Sequence, residues 1–560
     1  LPIAAKAAHA SLRPQNKTGS DIVMNAQAKF LLAATAATTL AGAVPAMAAP
    51  VATSTYKHVL VISVDGMHAI DLTNWIQTHP DSNFAALAAH GVVYPNALTT
   101  APSDSYPGML AQFTGGTPKT GGLFYDDSYD RKEYPSVNFY KSQNLPDPGC
   151  TGGPGTEVTN FEELDKTYDF ATGLVADYTA GGTLGQVGTQ LDPDNMQRQI
   201  FFGKCAPVYP HQYVRTNTVF EIARLFGRYT AWSDKHPAYE NLNGPSGLGL
   251  NELYAPEINA QDTLDAAAQP GDDFTTSYTG VRSYDSIKVK AVLNWIDGLN
   301  GAGTAKLGSA PAIFGMNFQA VSVGQKLAKA GHADAATPNL TGGYLDANAT
   351  PGTALTIQLQ FVDQALGQFR SELAKEGIAN QTLIIVSAKH GQSPIDVKTR
   401  VAISDSPFQA TPGFGTHGFE ICDDVGLLWL DPALQKTQYA AAESYLNAHA
   451  AQLHIAQLLD RTALTPLYGD SYTNSRVPDF IAVTDHGTIC TGGSKLAEHG
   501  GFSNDDRNVA LLVSSPGIAP EVATQPATTT QIAPTILQAL GLPTGLLLTT
   551  YTEHTQPLTR

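Results

Sequence analysis

The chain has 560 residues, 42% of them hydrophobic and 15% charged, with a formal net charge of -17. That balance suits a globular protein able to bury a large core and excludes a low-hydrophobicity disordered chain. The acidic charge is spread without long runs, which argues against a nucleic acid duplex or an anionic membrane surface as the main partner.

Residues 1–23 carry no pattern and are expected to be a disordered upstream extension. Met24 then opens a short polar stretch containing Lys29, followed by an apolar run from Phe30 to Val44 and the small-x-small triplet Ala46-Met47-Ala48. This predicts a secretory signal peptide over 24–48, cut after Ala48. The run is broken by Thr35, Thr38, Thr39 and Gly42 and is too short to span a membrane, and no later stretch is apolar enough to do so. Residues 49–560 are expected to form a single domain in the periplasm or outside the cell.

Beyond the signal segment, apolar β-branched runs alternate with helical patterns, which predicts an α/β fold with a mostly parallel sheet. Strands are expected at His58–Val64, Tyr229–Trp232, Ala312–Asn317, Leu383–Ser387, Gly426–Leu430, Phe480–Val483 and Val509–Ser514. Helices are expected at Ser82–His90, Thr216–Leu225, Ile287–Ile296, Thr353–Glu376, Tyr439–Ala450 and Thr530–Leu540. The clearest is Thr353–Glu376, where Leu355, Leu359, Val362, Leu366, Phe369 and Leu373 recur at amphipathic spacing. Between about 121 and 311 the rhythm weakens into Gly-, Pro- and Asn-rich sequence, read as insertions that partly cap a site.

The four cysteines, Cys150, Cys205, Cys422 and Cys490, suggest up to two disulfides in an exported chain. Of three connectivities, Cys150–Cys205 with Cys422–Cys490 closes the shorter loops; four unpaired thiols is the alternative. No CxxC spacing is present, which argues against a cysteine metal site.

Four segments place chemically capable side chains beside or near glycines, close to apolar runs. Asp65 follows the first strand, where a carboxylate points into the crevice at a sheet edge and offers a hard oxygen donor. A helix cap is the simpler role for it. Ser105, in Ser103-Asp104-Ser105-Tyr106-Pro107-Gly108, stands just before an apolar stretch. At a helix start its alkoxide and an incoming anion are both stabilised, although an N-cap serine needs no such role; Ser103 is the alternative nucleophile. His390, in Lys389-His390-Gly391, follows a strand, and His499, in Glu498-His499-Gly500-Gly501, precedes one. Imidazoles in such places make good ligands. Asp234 and His236, in Trp232-Ser233-Asp234-Lys235-His236-Pro237, end a strand and are candidates for substrate contact. Asp485-His486-Gly487 reads as a turn.

Taken together, and with Thr114-Gly115-Gly116 and Ile532-Ala533-Pro534-Thr535-Ile536-Leu537, these segments resemble the type I phosphodiesterase/nucleotide pyrophosphatase branch of the alkaline phosphatase superfamily, from about His58 to Pro543. The resemblance implies an alkaline-phosphatase-like sheet flanked by helices, with cap insertions. It also implies a Thr or Ser nucleophile and two zinc ions. Asp65, Ser105, His390 and His499 match the family's pattern as metal ligands, with Ser105 as the nucleophile. Three ligand positions depart from it. Lys389 replaces the Asp of an Asp-His pair, and Val321 and Gln325 fall where an Asp-x-x-x-His pair belongs. Asp126 stands in place of a phosphoryl-binding asparagine.

The expectation is therefore a secreted hydrolase of phosphate esters, of phosphodiester or nucleotide pyrophosphate type, acting on a small phosphorylated substrate. One divalent ion, zinc by the imidazoles, would sit on Asp65, Ser105, His390 and His499. Lys389 would supply a fixed charge in place of a second metal, and Asp126, Asp234 and His236 would face the substrate. The absence of a Cys-x-Pro-x-Arg segment argues against sulfatase chemistry. The alternative is an envelope protein that keeps the fold for a binding or structural role.

Overall fold

The computed structural model describes residues 56–158, 193–330 and 340–559; the extension and signal segment expected at 1–48 lie outside them. An eight-stranded sheet is built on β1 (His58–Val64), every residue of which is buried. Alternation along β1 explains why it is central. Val59 and Val61 enter one hydrophobic core while Leu60, Ile62 and Val64 enter another on the opposite face.

The remaining strands are β2 (Gly91–Val93), β3 (Ala231–Ser233), β4 (Glu252–Tyr254), β5 (Ile313–Phe318), β6 (Thr382–Ser387), β11 (Leu511–Ser514) and β12 (Glu521–Val522). They lie in the order β12-β2-β11-β6-β1-β5-β3-β4. β1 pairs in parallel with both β5 and β6, with Val59 opposite Ile313 and Leu383. β11 alone runs against its neighbours β6 and β2. Helices cover both faces. Leu355, Leu359, Val362, Leu366, Phe369 and Leu373 of the helix Thr353–Lys375 all pack into one core. On the other face lie Met109, Leu110 and Phe113 of α1 (Ser105–Thr114) and Ile532, Ile536 and Leu537 of the helix Ile532–Ala539.

Two expectations need adjustment. The strands anticipated at Gly426–Leu430 and Phe480–Val483 form, but not in the parallel sheet. They are β8 (Val425–Trp429) and β10 (Phe480–Thr484) of a separate four-stranded sheet. With β7 (Phe419–Cys422) and β9 (Ile455–Leu459) it has the order β7-β8-β10-β9, antiparallel throughout. Both of its faces are covered, so its strands read like those of a parallel sheet. The stretch 121–311 also contributes more than insertions. It supplies β3, β4 and the 19-residue helix Tyr278–Ile296 to the main body.

Cys150–Cys205 and Cys422–Cys490 are disulfides. The second ties the end of β7 to the strand Thr488–Cys490. Among the described residues no helix is long and apolar enough to cross a membrane. Because the Cys422–Cys490 bridge closes a separation of 68 residues, replacing both cysteines by alanine is expected to lower unfolding free energy by about 2–5 kcal/mol in urea titrations. An unchanged midpoint would show that the second sheet is held without it.

Candidate active site

The carboxyl ends of β1, β3, β5 and β6 converge on one crevice, where an open α/β sheet places its ligands. Asp65 follows β1, Asp234 and Lys235 follow β3, Gln319 follows β5, and Lys389 and His390 follow β6. A cavity of about 250 Å³ opens there, lined among others by Asp65, Lys235, His236, Gln319, His390 and His499.

Lys389 is the floor of this crevice, with no exposed surface. Its Nζ donates to Asp234 Oδ1 at 3.0 Å and to the Tyr239 hydroxyl at 2.7 Å, and stands 3.5 Å from Asp65 Oδ2. Burial pushes the Lys389 ammonium down from its ordinary value, and Asp234 and Asp65 oppose that. Burial likewise opposes ionisation of Asp65, but Lys389 and His390 overcome it and hold that carboxyl well below the usual carboxylate range. The remaining capacity of Asp65 is taken by amide donors, Asn317 Nδ2 at 2.7 Å and Gln319 Nε2 at 2.6 Å. Asp234 is similarly committed. It accepts from Trp232 Nε1 and from the Lys235 backbone N–H, each at 2.8 Å, besides Lys389.

Above this floor sits Ser105, the first residue of α1 and completely buried. Lys235 Nζ donates to Ser105 Oγ at 3.1 Å. His390 Nε2 lies 3.4 Å from the same oxygen and 3.6 Å from Asp65 Oδ2. The other ring nitrogen, Nδ1, is 2.9 Å from the Gly391 carbonyl oxygen, which can only accept, so Nδ1 carries a proton and Nε2 is the nitrogen that faces the serine. α1 reaches this position because residue 108 is glycine. A Cβ there would lie 2.1 Å from the Lys389 carbonyl oxygen.

The alternative nucleophile Ser103 is spent on structure, its hydroxyl donating to the Asp506 carbonyl oxygen at 2.5 Å. His236 faces the cavity with Nδ1 2.7 Å from Glu257 Oε1. Burial and then Lys235 hold it well below the usual histidine value, so it is neutral. Glu498 pairs with Lys326 at 2.7 Å and with Lys495. Asp485-His486-Gly487 is the turn it was read as, with His486 on Asp505 at 2.9 Å.

His499 and Asp126 stand to one side. His499 Nδ1 lies 3.2 Å from Asp104 Oδ1, and Asp104, Asp126 and His499 bring donor atoms within 4.8 Å of one another. Among the described residues Asp65, His390 and His499 form no such group. The Tyr125 hydroxyl holds the His499 carbonyl at 3.2 Å, which residue 500 permits only as glycine: φ is +105° and a Cβ would overlap the tyrosine oxygen.

The donors around Asp65 do not suit a pair of metal ions. Val321 is in the hydrophobic core, and Gln325 is committed to the Gly66 carbonyl, Tyr344 and Gln392. An ammonium already stands against Asp65.

Lys235 is the site residue that sequence reasoning passed over. Its neighbours Asp234 and His236 drew attention as carboxylate and imidazole, whereas a lysine in a loop is by default solvated. Its position at a strand end was the available signal.

The fold is that of the alkaline phosphatase superfamily. It matches wild-type alkaline phosphatase PafA with a TM-score of 0.51 at 14% identity, over 90% of this chain and 97% of that one. An inactive variant of murine ectonucleotide pyrophosphatase/phosphodiesterase 5, solved with AMP, matches with a TM-score of 0.51 at 12% identity, over 87% of this chain and 96% of that one. No curated protein matches the chain by sequence. The type I phosphodiesterase/nucleotide pyrophosphatase family model matches residues 59–506, and the chain belongs to that family.

Lys389→Met leaves Asp65 and Asp234 buried without their common cation, and is expected to cost about 3–5 kcal/mol in urea denaturation. A loss below about 1 kcal/mol would refute its place as the structural counter-ion.

Proposed function

We propose that this chain is an exported hydrolase of phosphate esters, of phosphodiester or nucleotide pyrophosphate type, in which lysine ammonium groups take over the work of a metal ion beside Asp65. One observation carries the reading: Ser105 Oγ is held between Lys235 Nζ and His390 Nε2, at a helix N-terminus beside the cavity. The AMP found on the murine relative suggests a substrate with a nucleoside monophosphate portion. Two disulfides and the signal-like segment at 24–48 support export.

In this reading Ser105 attacks phosphorus in line. Its proton passes to His390 Nε2, and the Asp65 carboxylate 3.6 Å away stabilises the imidazolium that forms. Lys235 and the helix N-terminus stabilise the serine alkoxide and the phosphoryl oxygens. The Oγ–P bond forms as the ester P–O bond breaks. The leaving group departs into the cavity and takes any proton it needs from solvent. Water then cleaves the serine phosphodiester, its proton leaving with the released phosphate, and His390 returns its own proton to Ser105. Lys389 acts one layer below, fixing Asp65 and Asp234 rather than touching substrate. His236 meets the substrate from the cavity wall, and Asp234 supports the site through both lysines.

The second reading, a non-catalytic envelope protein, is favoured by the commitment of Val321 and Gln325 to packing and hydrogen bonding. Hydrolysis of bis(p-nitrophenyl) phosphate by the chain from Ala49 separates the two. Ser105→Ala is expected to reduce turnover to background with an unchanged melting temperature, and Lys235→Met to lower kcat by about 10²–10³. No turnover by the unmodified chain, with zinc or manganese supplied, would leave the non-catalytic reading standing.

A further inference from the structure

Asp104 has no exposed surface, and Asp126 and His499 are nearly as buried. Two carboxylates thus meet one imidazole inside the protein, with donor atoms within 4.8 Å of one another. Asp104 Oδ1 and His499 Nδ1 approach to 3.2 Å, yet neither atom makes a hydrogen bond. Distance is not the obstacle; direction is. The oxygen lies away from the line along which a ring N–H would donate. Two buried polar atoms left unsatisfied face to face are expensive unless something between them accepts both lone pairs.

A single cation does this. Donors bonded to one ion at ~2.0–2.2 Å stand roughly 3.0–3.5 Å apart at tetrahedral or octahedral angles. That is the spacing of Asp104 Oδ1 and His499 Nδ1, and Asp126 brings a carboxylate oxygen within 4.8 Å of a donor atom of each. The imidazole selects a borderline ion over calcium or magnesium, which favour oxygen cages.

We infer that Asp104, Asp126 and His499 form a binding site for one zinc-class divalent ion, separate from Asp65 and built on Asp104, the N-cap residue of α1. The chain supplies the site from three places: the cap of α1, the loop carrying Asp126, and the glycine turn of His499 pinned by Tyr125. Only His499 among these lines the cavity, so the imidazole is the link between ion and crevice. The Asp65 position, occupied by Lys389 and amide donors, is left metal-free. This inference does not require Ser105 to be a nucleophile, and it is read by binding rather than by turnover.

The test is zinc binding to the chelator-stripped chain from Ala49, by calorimetry and by metal content after gel filtration. One zinc per chain is expected. Asp126→Asn and His499→Gln should each weaken binding at least tenfold, while Asp65→Asn leaves it within twofold; circular dichroism and melting curves establish that each variant is folded. Cobalt substitution of the unmodified chain gives a second readout that needs no variant: visible d–d bands whose intensity follows a one-to-one titration. Absence of binding and of cobalt bands would overturn the site, leaving a proton shared between the carboxyls as the occupant. Loss of zinc in Asp65→Asn with retention in Asp126→Asn would equally overturn it, because the ion would then sit on Asp65. Either failure leaves the serine reading to stand or fall on the Ser105→Ala assay.

Discussion

The buried ammonium of Lys389, clasped by Asp234 and Asp65, is the interaction on which the rest of the crevice depends. It lies at the edge of the central strands, where a charge without partners would be untenable. Its two carboxylates come from the ends of β3 and β1, so one ion cluster locks together strands that are not neighbours in the sheet. Asp234, so held, accepts the backbone N–H of Lys235, and this fixes the loop that sends the second lysine to Ser105. Asp65, so held, faces the imidazole of His390.

A fixed ammonium differs from a bound metal in its consequences. It does not exchange with the medium, and its charge persists whatever ions are available. It also cannot polarise two oxygens symmetrically as a metal pair does, so the geometry of stabilisation becomes one-sided. Three lysines line the crevice: Lys235, Lys326 and Lys495. Lys326 and Lys495 share Glu498, whose ionisation burial opposes but these two lysines secure. The lysines that line the cavity are thus held in place by partners, Lys235 on Ser105 and the other two on Glu498.

Much of this was legible in the chain. The strand His58–Val64 was readable residue for residue, because a strand buried on both faces is apolar along most of its length, here all but His58 and Ser63. The helix Thr353–Lys375 announced itself through its stripe. Ser105, His390, Asp65 and Lys389 stood out as polar residues beside apolar runs, and the structure brings them together. The second sheet was not legible. Its strands have the same composition as those of the main sheet, and periodicity does not report which strand a given strand will pair with. β4 and the short β2 were missed for a related reason: three residues do not establish a period.

What the sequence by itself determined is the class of architecture and the inventory of reactive groups, since both follow from local pattern and residue chemistry. What only the tertiary structure decided is which of those groups act on one another. Asp234 and His236 are two residues apart, yet one lies under the floor and the other in the cavity wall. Lys235 between them reaches Ser105, 130 residues away. His499 turned from Asp65 toward Asp104. Such choices are made by long-range packing and by the demand that every buried charge find a partner, and neither is written in the local sequence.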